Sequence, residues 1–309
     1  MTTGAPADNL DALPRTQHPS RHGFRTPFRT REATAQLVVA AGAALAARQG
    51  FRRVRARAGS DRDADRWSRT NHRGEQVSLL LGPAAVAGTF AATMAMPGLT
   101  PAERLAVAAA VLGSGAVGAY DDLAGTPAAK GLRGHLGALR RGEVTSGAVK
   151  VAGIGVSGLV AAALLGRAGR PRPGLATILA DGALVAASAN LVNLLDLRPG
   201  RALKVVVAPA PFLLTSAGPV LAAPVGVAAG LLADDLGENG MLGDCGANAL
   251  GAGLGVAMAA RLPRPARLMV LAGLAGLILA SERVSFTAVI ERHAPLRRLD
   301  EFGRRSPNR

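Results

Sequence analysis

Apolar residues fall in blocks separated by arginine-rich or acidic stretches, and the block lengths carry the first conclusion. A helix rises ~1.5 Å per residue, so about 20 residues cover the ~30 Å of bilayer hydrocarbon. Blocks at 33–47, 77–96, 104–120, 146–165, 174–195, 202–215, 219–233, 247–260 and 268–279 approach that length, the last extensible to 286. The pattern predicts an all-α protein, a polytopic transmembrane helical bundle of about nine spans. Residues 1–32 mix Pro, Thr, Arg and Asp without periodicity and read as a disordered tail. No apolar core follows a short basic start, so no cleavable signal peptide is expected. The membrane domain is assigned to 33–288 and a basic cytoplasmic tail to 289–309.

Composition agrees. Hydrophobic residues make up 49% of the 309, charged residues 18% and aromatics 3%. The formal charge of +15 invites a nucleic-acid reading, but the arginines lie in the loops and tails that flank the apolar blocks. That distribution reports membrane topology and anionic headgroups, and without a basic helix interleaved with aromatics it argues against nucleic acid. The stretch 48–76 alone holds nine arginines, which marks it as cytoplasmic. It ends in Trp67-Ser-Arg-Thr-Asn-His-Arg-Gly74, a run more specific than a generic anchor. Counting alternately from there puts the ends of the third, fifth and seventh spans on the cytoplasmic face. Cys245 is the single cysteine, which excludes an intrachain disulfide. It reads as a small residue beside Asp244.

Those cytoplasmic ends carry the candidate chemistry. The third span stops on Asp121-Asp122, and the fifth ends in Asn190, Asn193 and Asp196, spaced by three and so aligned along one stripe of a helix. The eighth is opened by Gly240-Met-Leu-Gly-Asp-Cys-Gly246, where backbone N–H groups can face an anion. Carboxylates converging on one surface repel unless a cation sits between them. A donor set of oxygens, with no Cys or His grouping, favours Mg²⁺ over zinc. Lys130, Arg133, Lys150, Arg198 and Arg201 are the basic residues nearby that can clamp phosphate oxygens, with His135 a further candidate contact. Asp234-Asp235, after the seventh span, reads as solvated loop. Together the clusters point to Mg²⁺-assisted phosphoryl transfer at the bilayer surface.

In their order, Asp121-Asp122, Asn190-x-x-Asn193-x-x-Asp196 and Gly243-Asp244-x-Gly246 resemble the polyprenyl-phosphate N-acetylhexosamine-1-phosphate transferase superfamily, which includes phospho-N-acetylmuramoyl-pentapeptide transferase. The resemblance extends from about Trp67 to Leu250. It implies transfer of a phospho-sugar from a UDP-sugar to a polyprenyl phosphate with release of UMP, for assembly of a cell-envelope glycan such as peptidoglycan. It also implies a bacterial inner-membrane location with the site facing the cytoplasm. By the same resemblance, Asp121, Asp122 and Asp244 are the catalytic set, with the first two near the attacking lipid phosphate. Asn190, Asn193, Asp196, Lys130, Arg133, His135 and Arg198 bind substrate, and Asp244, Asp196 and Asp122 hold Mg²⁺. Whether two copies form a homodimer is left open.

The chain departs from the family's pattern at several points. Leu197 follows Asp196 where a glycine is usual, and Arg133 or His135 stands where a lysine is usual. Ala247 replaces a serine, and of the histidine-rich loop only His293 remains, with no further span after it. Two other readings stay open on the residues: a catalytically inactive relative acting as a scaffold for envelope assembly, and a transporter. Polar groups at span ends instead of mid-span disfavour the transporter.

Overall fold

The computed structural model describes Met1 and residues 30–58, 66–125, 134, 137, 138, 140–167 and 172–306. The disordered tail assigned to 1–32 lies mostly outside them, though its last three residues already belong to the first helix. That helix, α1, runs Thr30–Ala58. A two-stranded antiparallel hairpin follows, β1 Ser68–Thr70 and β2 Gln76–Ser78, with Arg69 opposite Val77. Then come α2 Leu81–Ala95, α3 Pro101–Ala124, α4 Ser146–Gly166 and α5 Leu175–Leu195. The rest of the chain gives α6 Arg201–Val207, a 3-10 turn Ala210–Leu214, α7 Gly218–Leu236, α8 Gly243–Arg261, α9 Arg264–Ser281, α10 Phe286–Arg292 and α11 Ala294–Glu301.

Among the described residues five helices, α3, α4, α5, α7 and α9, are long and apolar enough to cross a membrane. The chain is thus an all-α helical bundle with the character of a multi-pass membrane protein. Sequence signals place several boundaries. Thr100 and Glu103 form a reciprocal cap on α3, each side chain accepting from the other's backbone N–H at 3.2 and 2.9 Å, with Pro101 in the first turn. Thr145 caps α4 by accepting from the Ala148 N–H at 3.1 Å.

Three expectations are corrected. The second helix begins at Leu81 and not at 77, because Val77 is taken up by the hairpin. The first helix does not stop at 47: it continues through Arg48 and Arg52, one turn apart, and both bind Asp234, at 2.9 and 3.2 Å. The apolar block 202–215 is no continuous helix, since Pro209 and Pro211 lack the N–H that would extend it and leave α6 followed by a 3-10 turn. The C-terminal stretch forms α10 and α11 and is tied to the bundle where Arg201 binds Asp300 at 2.8 Å.

Helix α8 forms the centre, packed by α2, α3 and α5 and buried along most of its length. The approach is close enough to need glycine: a Cβ on Gly251 would lie 2.6 Å from the Ser188 carbonyl oxygen of α5, and one on Gly246 would lie 2.8 Å from Gly82 Cα of α2. Directions alternate along the chain. Arg261 at the end of α8 binds Glu103 at the start of α3 (2.5 Å), and Arg267 of α9 binds Asp181 of α5. The opposite ends of α3, α5 and α8, with the start of α4 and the end of α7, gather at the other pole.

Candidate functional site

At that pole the last turn of α3 meets the first turn of α8. Both oxygens of Asp122 are engaged there, accepting from the backbone N–H of Asp244 at 3.0 Å and of Cys245 at 2.9 Å. The carboxylate thereby satisfies N–H groups that a helix leaves open at its start, where negative charge is favoured. Gly243 makes this possible: its φ is +60°, and a side chain on it would collide with the same carboxylate.

Asp121, the neighbouring residue, is directed to Lys150 on the first turns of α4. The Lys150 amine stands 2.6 Å from Asp121 Oδ2 and 2.8 Å from Asp244 Oδ2, so one cation is shared by carboxylates from two other helices. Lys150, a candidate phosphate clamp in the sequence, here closes an acidic cluster.

Two further helix ends, those of α5 and α7, complete the wall. Asn193 and Asp196 from the end of α5 line a cavity of about 490 Å³, together with Asp122, Asp244 and Asp235. Asn190, one turn further back on α5, is half-buried and is not part of the cavity wall. Asp196 Oδ2 is buried with no hydrogen-bond partner. Burial first, and then the charges of Asp235, Asp244 and Asp122, push the Asp196 carboxyl well above the usual carboxylate range. Asp235 corrects the solvated-loop expectation. It sits in the last turn of α7, is 2% exposed, and accepts from the Gly200 N–H at 2.8 Å. Asp234 beside it is equally buried but faces α1 and its arginines.

The hairpin forms the remaining side. Arg69, Thr70, Asn71 and His72 all line the cavity, and Arg69 also donates to the Asp122 carbonyl at 3.1 Å. Asn71 donates to Glu238 at 2.5 Å, and Arg73 pairs with the same carboxylate at 2.9 Å, which pins the hairpin to the α7–α8 loop. Burial, then the charges of Arg198, Arg73 and Arg304 against the opposing pull of Glu238, hold His72 below the usual imidazole range, so it is neutral at pH 7. Arg198 also lines the cavity. Arg201 does not: its guanidinium is buried against Asp300 and Thr287. Lys130, Arg133 and His135 lie outside the described residues. His293 bonds to the Val289 carbonyl of its own helix at 2.8 Å and takes no part in the cavity.

Among the described residues no three His, Cys, Asp or Glu side chains form a ready-made metal cage. The oxygen donors, the unpartnered Asp196 oxygen and the crowding of carboxylates nevertheless fit a hard divalent cation. Such an ion takes one or two carboxylates and completes its shell with water and substrate phosphate. No family model matches the chain, and no curated protein matches it significantly.

Proposed function

We propose that the chain is a membrane phospho-sugar transferase, moving a phospho-N-acetyl-sugar from a UDP-sugar to a polyprenyl phosphate and releasing UMP. The observation that carries this reading is the convergence of four separate helix ends, those of α3, α5, α7 and α8, and the hairpin on one cavity whose lining holds Asp122, Asp196, Asp235 and Asp244 together with Arg69 and Arg198. The resemblance of the three acidic motifs to the superfamily supports the same reading.

In this reading an oxygen of the lipid phosphate attacks the sugar-bearing phosphorus, and the bond to the bridging oxygen breaks as UMP leaves with its electron pair. A phosphate monoester has its second pKa near ~6, so the acceptor is already mostly dianionic at neutral pH and needs little help from a general base. Asp121 therefore orients Lys150 and does not abstract a proton. Lys150 offsets the charge of Asp121 and Asp244, while Arg69 and Arg198 balance the phosphate oxygens. Asp196 and Asp244 would hold Mg²⁺, with Asp122 behind them, and the ion would supply charge neutralisation between two anionic substrates. Asn193 would face the nucleotide.

The topology that accompanies this reading has nine crossings, the sixth being the broken segment 201–214, and a cytoplasmic site. Arg48, Arg52, Arg69, Arg73 and Arg198 concentrate at the site end, which supports that orientation. The alternative, an inactive scaffold, is favoured by the position of His293 away from the cavity. Purified protein with polyprenyl phosphate, Mg²⁺ and a panel of UDP-sugars decides between them. UMP release that requires both lipid and Mg²⁺ establishes the transferase. No release from folded protein, with no Mg²⁺-dependent nucleotide binding, establishes the scaffold.

A further inference from the structure

Helix α11 is held to the bundle by its polar side. Asp300 accepts from Arg201 at 2.8 and 2.9 Å and pairs with Arg304 at 2.6 Å, while Lys204 donates to the Leu299 and Asp300 carbonyls at 3.0 and 2.7 Å. That contact leaves its apolar residues uncovered. Leu296, Leu299 and Phe302 follow at intervals of three and are 46%, 66% and 76% exposed. A helix docked in water buries its apolar stripe and shows its charges; this one is anchored through an acid and offers its apolar stripe outward.

Two features say what lies outside. Helix α9, which precedes this segment in the chain, has no buried residue and has the length and apolarity to cross a membrane. Exposed Arg292, Arg297 and Arg298 flank the stripe, and exposed Arg53 and Arg55 stand at the same pole on α1, which Arg48 and Arg52 fix to Asp234. An outward apolar stripe with an arginine border is the composition of a helix lying in the plane of a membrane interface, its apolar side ~5–10 Å into the boundary between headgroups and acyl chains.

We infer that α11 is an interfacial helix that docks on anionic lipid, independently of what reaction the cavity performs. The chain just after it reaches the cavity rim, because Arg304 donates to the Pro199 carbonyl at 2.9 Å and Pro199 lines the cavity next to Arg198. Lipid docking of α11 thus steadies the turn that presents Arg198.

The test uses full-length protein in lipid nanodiscs and a Phe302→Trp variant, with the unsubstituted protein and its single Trp67 as background. Acyl-chain-brominated lipid is the quencher, in phosphatidylglycerol-rich or all-phosphatidylcholine discs. Docking gives loss of the added emission that is at least about twofold stronger in the anionic discs. Emission untouched by brominated chains, or quenched equally in both, overturns the inference. Efficient disulfide dimers from Leu299→Cys, in place of quenching, assign the stripe to a second copy and overturn it equally. Leu296→Trp gives the same readout should Phe302→Trp not be recovered folded.

Discussion

A methyl group on Gly243 would stand 2.8 Å from one oxygen of the Asp122 carboxylate and 3.0 Å from the other. The glycine therefore meets two demands, a left-handed backbone and a vacant position for the acid that closes the start of α8. Gly243→Ala carries roughly 1–2 kcal/mol of backbone strain and displaces Asp122 as well. The expected result is a lower melting temperature in detergent together with loss of UMP release. Asp122→Asn, which keeps the size but cannot accept from both N–H groups, should show a smaller fall in melting temperature.

Lys150 is the sole cation bridging Asp121 and Asp244 among the described residues. In Lys150→Met those carboxylates face one another without it, and removing one member of a buried ionic group costs about 3–5 kcal/mol, less where the site is partly wet. The melting temperature should fall by several degrees, and millimolar Mg²⁺ should restore more of it in the variant than in the parent. An equal Mg²⁺ response in both would separate this pair from any cation.

Asp244→Asn should remain folded, because the N–H groups of α8 still meet Asp122, yet lose UMP release by at least about 100-fold, a catalytic effect of the size seen when one transition-state contact is removed. Asp235→Asn acts elsewhere. It weakens the hold on the Gly200 N–H and with it the turn carrying Arg198, so KM for the UDP-sugar should rise by about tenfold while kcat changes less. Kinetics with each variant separate the two effects.

Docking of the C-terminal segment should depend on pH through Asp300. Burial alone would raise this carboxyl, but the hydrogen bond and charge of Arg201, and then Arg304, outweigh it and hold it below the usual range. A lowered folded pKa means the unfolded form binds the proton more readily. The stabilisation is therefore complete above the ordinary aspartate value of ~3.9 and disappears as pH falls through the lower, folded one. Protease susceptibility of residues 294–306 should stay constant from neutral pH down to about that value and rise beneath it. Asp300→Asn should be susceptible throughout.

Much of this arrangement is legible in the sequence, and the residues show where legibility stops. The α3 helix is announced by Thr100, Pro101 and Glu103 and by the acids that end it; α5 is announced by an apolar run closing on Asn193 and Asp196. Hydropathy alone passes over Pro209 and Pro211, and so reads one span where the chain breaks. Asp234 and Asp235 are chemically identical neighbours, but a helix turns ~100° between them, which sends one to the arginines of α1 and the other to the cavity. No spacing rule distinguishes them without the positions of α1 and of Gly200. Lys150 lay in view, but its partners come from α3 and α8, many residues away on either side. The hairpin was visible as an unusual polar run, and its contact with Asp122 required the fold. Helix α11 was hidden because a short charged amphipathic stretch has the composition of a tail.

The burial of α8 also has a kinetic consequence. Its backbone amides are enclosed by α2, α3 and α5, and the glycine contacts leave no slack for one neighbour to lift alone. Exchange of those amides with deuterium then demands opening of the bundle itself, and residues 247–257 become the last to label. Asp244 sits at the start of this enclosed helix, so its backbone is carried by an element that yields only when the bundle opens.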